Sequence, residues 1–327
     1  MSIRQFVKLL GLTMAAFVCQ AVLAQSYPSK PINFVVPYPA GGAADFSARV
    51  LAKEMPNLLK TTILVDNVVG VAGALGTAKV INAVPDGYNV LISSPLEMIL
   101  TPLAISAAKY KPEDLRPAAF LGYTSVMLVT RKDLGVNSFE ELNALAKKNA
   151  DKPLSYCTPG LGSLYHLMGE KLNALAGTKS LHVPYNGFPQ CVTNLVGGQI
   201  DFAFLPIAAS FPGFVDSGGM KIIAVAATTP AVRFPKAPLI KNNKGFEDFS
   251  FSIWQGIHVN AKTPDDVVNT LNKATYAALA MPETRKTIEA TGAVVIEPMN
   301  IAQMNAFYAR EIAMYQAIAK SINLMQQ

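Results

Sequence analysis

A two-domain α/β fold is predicted by three observations. Short β-branched runs alternate with amphipathic helical stretches along the chain. The 327 residues exceed one ordinary core, and a prior of about 150 residues per domain suggests two. Each half carries a strand, a Gly-rich corner and a helix: VVPYPAGGAADFSARVLAKEM over residues 35–55, and LSYCTPGLGSLYHLMGE over 154–170.

The elements follow in order. Arg4 and Lys8 precede an apolar run from Leu9 to Ala24, and Val22-Leu23-Ala24 before Gln25 fits a small-residue cleavage site, so residues 1–24 read as a signal peptide. A membrane anchor is the alternative, but the run is interrupted by Thr13 and Gln20 and falls short of the ~20 residues a span needs. A lipid on Cys19 is disfavoured because Val18 before it is not small. Strands are expected at 32–36, 62–65, 89–93, 126–130, 153–157, 181–184, 200–205 and 221–227. Helices are expected at 43–56, 73–83, 138–149, 163–176, 189–197, 264–280, 283–291 and 301–322. Gly177 and Gly197-Gly198 mark helix ends, and Pro85-Asp86-Gly87 marks a turn. Thr263-Pro264-Asp265-Asp266 opens a helix with a cap, a proline and first-turn acids. The chain is expected to cross between domains near Tyr123–Ser125 and Asp248–Trp254. One lobe then comprises residues 25–124 plus 250–327, and the other 125–249.

Composition excludes several function classes. The net charge is +6, and removing the leader's Arg4 and Lys8 leaves a mild +4, with the basic residues scattered and no basic-aromatic stripe. Nucleic acid is therefore not an expected partner. His166, His182 and His258 lie far apart, which gives no metal-ligand spacing. Gly70, Gly73 and Gly76 do not form G-x-G-x-x-G, and no cofactor is expected. After leader removal two cysteines remain, Cys157 and Cys191. Two buried free thiols are preferred to a disulfide, since one lies in a Gly-rich corner and the other near a later helix start.

The two corners carry the candidate chemistry. A helix start offers unpaired N–H groups and the positive end of its dipole, which hold an anion without any basic side chain. At the first corner Tyr38, Gly41, Gly42 and Ala43 are expected to present amides, with Asp45 capping its own helix or accepting a bond from the ligand. At the second, Thr158, Gly160, Gly162 and Ser163 do likewise, and Leu161, Leu205 and Pro206 form apolar walls. Ser93 and Ser94 follow a strand and are placed on the cleft. Tyr185, Asn186 and Phe188 are weaker candidates on the same logic. His166, three residues after Ser163, invites a nucleophile–base reading with Ser163 or Cys157. No orienting carboxylate stands beside it, so packing or capping is preferred. Trp254, the sole tryptophan, is read as core or hinge packing, with a stacking wall as the alternative.

VVPYPAGGAADFSAR, DNVVGVAGALGTAKVINAVPDGYNVL, CTPGLGSLYHLMGEKL, HVPYNGFPQCVTNLVGGQIDFAF and the TPDDVVNTLNKA helix start together resemble the Bug-type extracytoplasmic solute receptors of tripartite tricarboxylate transporters. The resemblance runs from Tyr27 to about Leu324. It implies a two-lobed type II periplasmic binding protein fold, two Rossmann-like lobes joined by a two-strand hinge, with a carboxylate in the cleft. The sequence departs from the family pattern at Val68, where a basic residue often follows Asn67, and at Leu205-Pro206, where an acid is often found. The expected protein is an exported, periplasmic, monomeric receptor. It captures a small organic (di)carboxylate, the apolar walls favouring an aromatic or longer-chain acid, and passes it to the transporter's membrane components. A module feeding a sensor kinase, and an exported Ser/Cys–His hydrolase, are the rivals.

Overall fold

The computed structural model describes residues 27–185, 187–208 and 211–321; the expected leader and the pocket candidate Asn186 lie outside them. The strands are β1 (Ile32–Val36), β2 (Ile63–Asn67), β3 (Asn89–Ser93), β4 (Leu115–Arg131), β5 (Ser155–Thr158), β6 (Leu181–Pro184), β7 (Phe202–Pro206), β8 (Met220–Ala226), β9 (Ser252–Asn260) and β10 (Val294–Val295). The helices are α1 (Ala43–Leu59), α2 (Ala74–Ile81), α3 (Thr101–Ala104), α4 (Phe139–Lys148), α5 (Leu164–Ala176), α6 (Phe188–Val196), α7 (Phe211–Asp216), α8 (Asp265–Ala280), α9 (Pro282–Glu289) and α10 (Ile301–Ser321).

The strand order is β2-β1-β3-β9-β4-β7-β5-β6, with β8 and β10 also on β4. Strands β2, β1 and β3 are parallel, and β9 runs antiparallel between β3 and β4. The long β4 serves two sheets. Leu115 to Ser125 pair with β9; Val126 to Thr130 pair with β7 on one edge, and Val126 to Arg131 with β8 on the other. Beyond β7 lie β5 and β6, again parallel. This mixed, helix-covered sheet is the predicted α/β class.

Both faces of the first sheet are covered, which explains the uninterrupted apolar runs of its strands. Phe34 and Val36 pack with Ala48, Leu51 and Met55 of α1, a stripe at helical spacing, and with Leu271 of α8. Val35 faces the opposite way, into a cluster that also holds Trp254 of β9 and, from beyond the first sheet, Tyr156, Tyr165 and Phe204.

Several elements were not expected. β9 and the first half of β4 carry no strand signal in the sequence. Residues 253–260 are buried or nearly so on both faces, which removes the period-2 signal. The β4 stretch holds Pro117 and Gly122, accommodated where its register against β9 shifts. A π-helical turn at Leu96–Leu100 leads into α3, and α7 and β10 are short additions. The cysteine expectation is corrected. Cys157 and Cys191 are bonded (S–S 2.09 Å, Cα–Cα 5.5 Å). β5 and α6 place both residues in one buried cluster, at a Cα separation a disulfide can bridge.

Candidate functional site

Both corners lie at the carboxyl ends of parallel strands, where open α/β sheets hold ligands. β1 ends at Val36, and the chain turns through Gly41 (φ 84°) into α1. A left-handed residue is needed there, and glycine supplies it without strain. The expected amides are not all available. The Gly41 N–H donates to Asp45 Oδ2 at 2.9 Å, and the Gly42 N–H reaches Pro39 O at 3.4 Å. The first α1 bond runs from Phe46 N to Gly42 O, so the N–H groups of Ala43, Ala44 and Asp45 precede it and have no intrahelical acceptor.

Asp45 organises this corner. Its carboxylate also accepts from Arg49 Nε at 2.9 Å and Asn67 Nδ2 at 3.1 Å, and Asn67 in turn donates to Tyr38 O. Burial pulls the Asp45 carboxyl up, yet the bonds from Arg49, Gly41 and Asn67 outweigh it and leave the group below the usual carboxylate range. Asp45 therefore caps its own corner with its oxygens already engaged.

Sequence reasoning missed Glu97, which the structure buries completely beside this corner. Tyr38 donates its phenolic O–H to Glu97 Oε2 at 3.0 Å, Ser94 Oγ donates to the same oxygen at 2.7 Å, and the Ser94 amide donates to Oε1. Tyr110 donates to the Glu97 carbonyl. Burial pushes the Glu97 carboxyl up to about 7, against the lowering pull of the Ser94 and Tyr38 bonds. Burial, then Glu97, drives the Tyr38 phenol well above its ordinary value. The available signal was an acid inside the apolar run that follows β3.

The second corner also satisfies much of itself. Thr158 Oγ1 lies 2.7 Å from His182 Nε2 and accepts from the Gly160 amide at 3.3 Å. Ser163 Oγ donates to Gly160 O at 2.7 Å and accepts from His166 N at 3.4 Å as the cap of α5. The Gly162 amide donates to His166 Nδ1 at 3.1 Å, so the free proton of that neutral ring sits on Nε2. With Leu167 N bonded to Ser163 O, the amides of Leu164 and Tyr165 precede the first intrahelical bond. His166 stacks on His182 (4.0 Å, 13°). Burial lowers both rings below the usual value, and His182, with His166 beside it, falls to about 4. Capping and packing thus describe His166. The Ser163 hydroxyl is turned to a backbone carbonyl and Cys157 is bonded to sulfur, which leaves neither as a nucleophile for that ring.

Two contacts bring the corners together. A Cβ at Gly162 would sit 2.1 Å from Ala104 Cβ, so the second corner closes onto the end of α3. Tyr165, in the first turn of α5, is near enough to Tyr38 to add to the upward push on its phenol. Leu161, at 40% exposed, stands at the rim.

Three candidates lie elsewhere. Ser93 Oγ donates to Gly256 O at 3.0 Å and lies 2.6 Å from His258 Nδ1. It ties β3 to β9 and is not a cleft residue, because the pleat turns it inward. Leu205 is fully buried with Met127, Cys157 and Cys191 and has no surface to offer, whereas Pro206 after it is partly exposed. Trp254 is core, edge-on to Phe120 at 5.1 Å, with its N–H on Glu311 Oε2 at 3.1 Å. Among the described residues no His/Cys/Asp/Glu group could hold a metal ion.

Comparison with known proteins gives a consistent answer. The periplasmic binding protein BugD superposes with a TM-score of 0.81 at 30% identity, over 92% of this chain and all of BugD. MatC from Rhodopseudomonas palustris, solved with bound malate, has a TM-score of 0.79 at 25% identity over 89% of this chain and 99% of its own. Protein BugT of Bordetella pertussis is 28% identical over 327 residues, covering 98% of both chains. These relatives share the α/β periplasmic binding protein fold found here. The family model for the tripartite tricarboxylate transporter family receptor matches residues 47–324, and the chain belongs to that family.

Proposed function

We propose that this chain is a periplasmic receptor that captures a small organic carboxylate between two lobes and delivers it to the membrane components of a tripartite tricarboxylate-type transporter. One observation carries the reading: first-turn amides without an intrahelical acceptor, those of Ala43 and Ala44 in α1 and of Leu164 and Tyr165 in α5, stand at the carboxyl ends of β1 and β5 with no basic side chain required. The malate bound to MatC supports the ligand class. The lobes are residues 25–124 with 250–327, and 125–249; the change of β4's partners from β9 to β7 and β8 supports a crossing near residue 125. A ligand that binds the closed form more tightly shifts an existing open–closed equilibrium, and the closed surface is what the membrane partner reads. The protein acts as a monomer, exported by a leader cleaved near Ala24. Among the described residues no helix is long and apolar enough to cross a membrane.

Calorimetry with mono-, di-, tri- and aromatic carboxylates tests this. At least one acid is expected to bind at micromolar Kd or tighter, about −8 kcal/mol. Silence across the whole panel refutes the proposal.

A further inference from the structure

A buried acid beside an anion-binding corner poses a charge conflict. Glu97 is fully buried at the carboxyl end of β3, and its side-chain partners are the Ser94 amide, the Ser94 hydroxyl and the Tyr38 phenol. The other groups facing it are phenols as well: Tyr110 after α3, and Tyr308 of α10, whose own shift registers the Glu97 charge. Tyr165 of α5 faces Tyr38 in turn. None of these is a cation. With Glu97 ionised, the Tyr38 proton points at Glu97, and the phenol offers an incoming carboxylate only lone pairs. A π-helical turn holds Glu97 in this place, an irregularity that recurs at functional sites.

We propose that Glu97 is a positioning residue that couples carboxylate capture to the uptake of one proton through Tyr38. The proton from solvent settles on Glu97 Oε2, and the new carboxyl O–H donates to the Tyr38 oxygen. The Tyr38 O–H, released from Glu97, turns to donate to the ligand carboxylate at the first corner. No other bond forms or breaks, and one ligand charge is offset by one proton. A carboxyl raised to about 7 needs little help to take that proton near neutrality. The inference rests on the carboxylate reading above and adds a proton-linked donor to its amides.

The test is calorimetry on the full mature chain between about pH 6.5 and pH 8.5 with malate first, then the rest of the acid panel. Malate is a dianion throughout that window, and the lowered His166 and His182 titrate below it. Affinity is expected to fall about twentyfold across the window, with about one proton taken up per ligand at its upper end. Proton uptake is read from the dependence of the heat on buffer ionisation. Glu97→Gln keeps a neutral donor to Tyr38, so its affinity is expected to stay near the wild-type low-pH value and to be flat with pH. Tyr38→Phe removes the donor and is expected to bind about tenfold more weakly, also without slope. A flat wild-type profile, no proton uptake, or an unchanged slope in both variants overturns the inference while leaving a carboxylate receptor intact. No binding by any acid at either pH overturns the carboxylate reading itself, and this one with it.

Discussion

Asp45 and Glu97 are two buried acids on either side of Tyr38, and their surroundings separate them. Asp45 has a guanidinium, an amide side chain and a backbone N–H, and it remains charged. Glu97 has hydroxyls and an amide, which do not offset the loss of water. Its carboxyl rises from 4.5 to about 7, which at about 1.4 kcal/mol per unit comes to roughly 3 kcal/mol. Unfolded, the group ionises near its ordinary value; folded, it keeps its proton until about 7. The folded state therefore binds the extra proton between those values, and stability falls as pH climbs through that window. Glu97→Gln is expected to gain on the wild type by roughly 3 kcal/mol between about pH 4 and pH 8, measured by urea unfolding. Equal pH dependence of the two proteins contradicts this.

At the scale of elements, the strand–corner–helix units and the end of α5 were legible because their signals are local, as with Gly177 after Ala176, whereas the structure makes Ser163, expected inside the helix, its cap. β9 was not, because burial on both sides erases alternation, and a strand that pairs with β3 and β4 is defined by distant partners. The π-helical turn escaped for a related reason, since LEMIL has no periodicity of its own. The Cys157–Cys191 bond joins β5 to α6 across a sequence separation of 34. A loop of that size gives about 4 kcal/mol in a chain-entropy treatment. The double variant Cys157→Ala/Cys191→Ala is expected to lose about 2–4 kcal/mol in denaturant unfolding. Wild-type stability in that variant, or in reduced protein, would show the bond to be dispensable.

Across the whole molecule, two close backbone approaches join distant stretches of chain. Gly162 lies against Ala104 with room for hydrogen only, and a Cβ at Gly292 would meet Ile207 O at 2.5 Å. Both contacts join the stretch of chain around the first sheet to that around the second, and Ser47 of α1 bonds Gln255 of β9 at 2.6 Å near the crossing. Gly162→Ala adds one methyl at a left-handed position (φ 73°) and is expected to wedge the corners apart. Small-angle scattering should then report a larger radius of gyration, with ligand affinity about tenfold or more weaker and cooperative unfolding retained. An unchanged radius and affinity would show that Gly162 is not a closure contact.

The sequence by itself determined the α/β class and the two strand–corner–helix units, because each rests on short-range periodicity and turn chemistry that neighbouring residues dictate, and it carried the family through the resemblance of its motifs. Tertiary structure alone decided which corner amides stay free, since Asp45 and His166 claim those of Gly41 and Gly162. It also decided that two cysteines bond and that Glu97 stands beside Tyr38. Those outcomes depend on groups brought together from distant parts of the chain. Burial then sets what each group can do, by removing the water that would otherwise satisfy it.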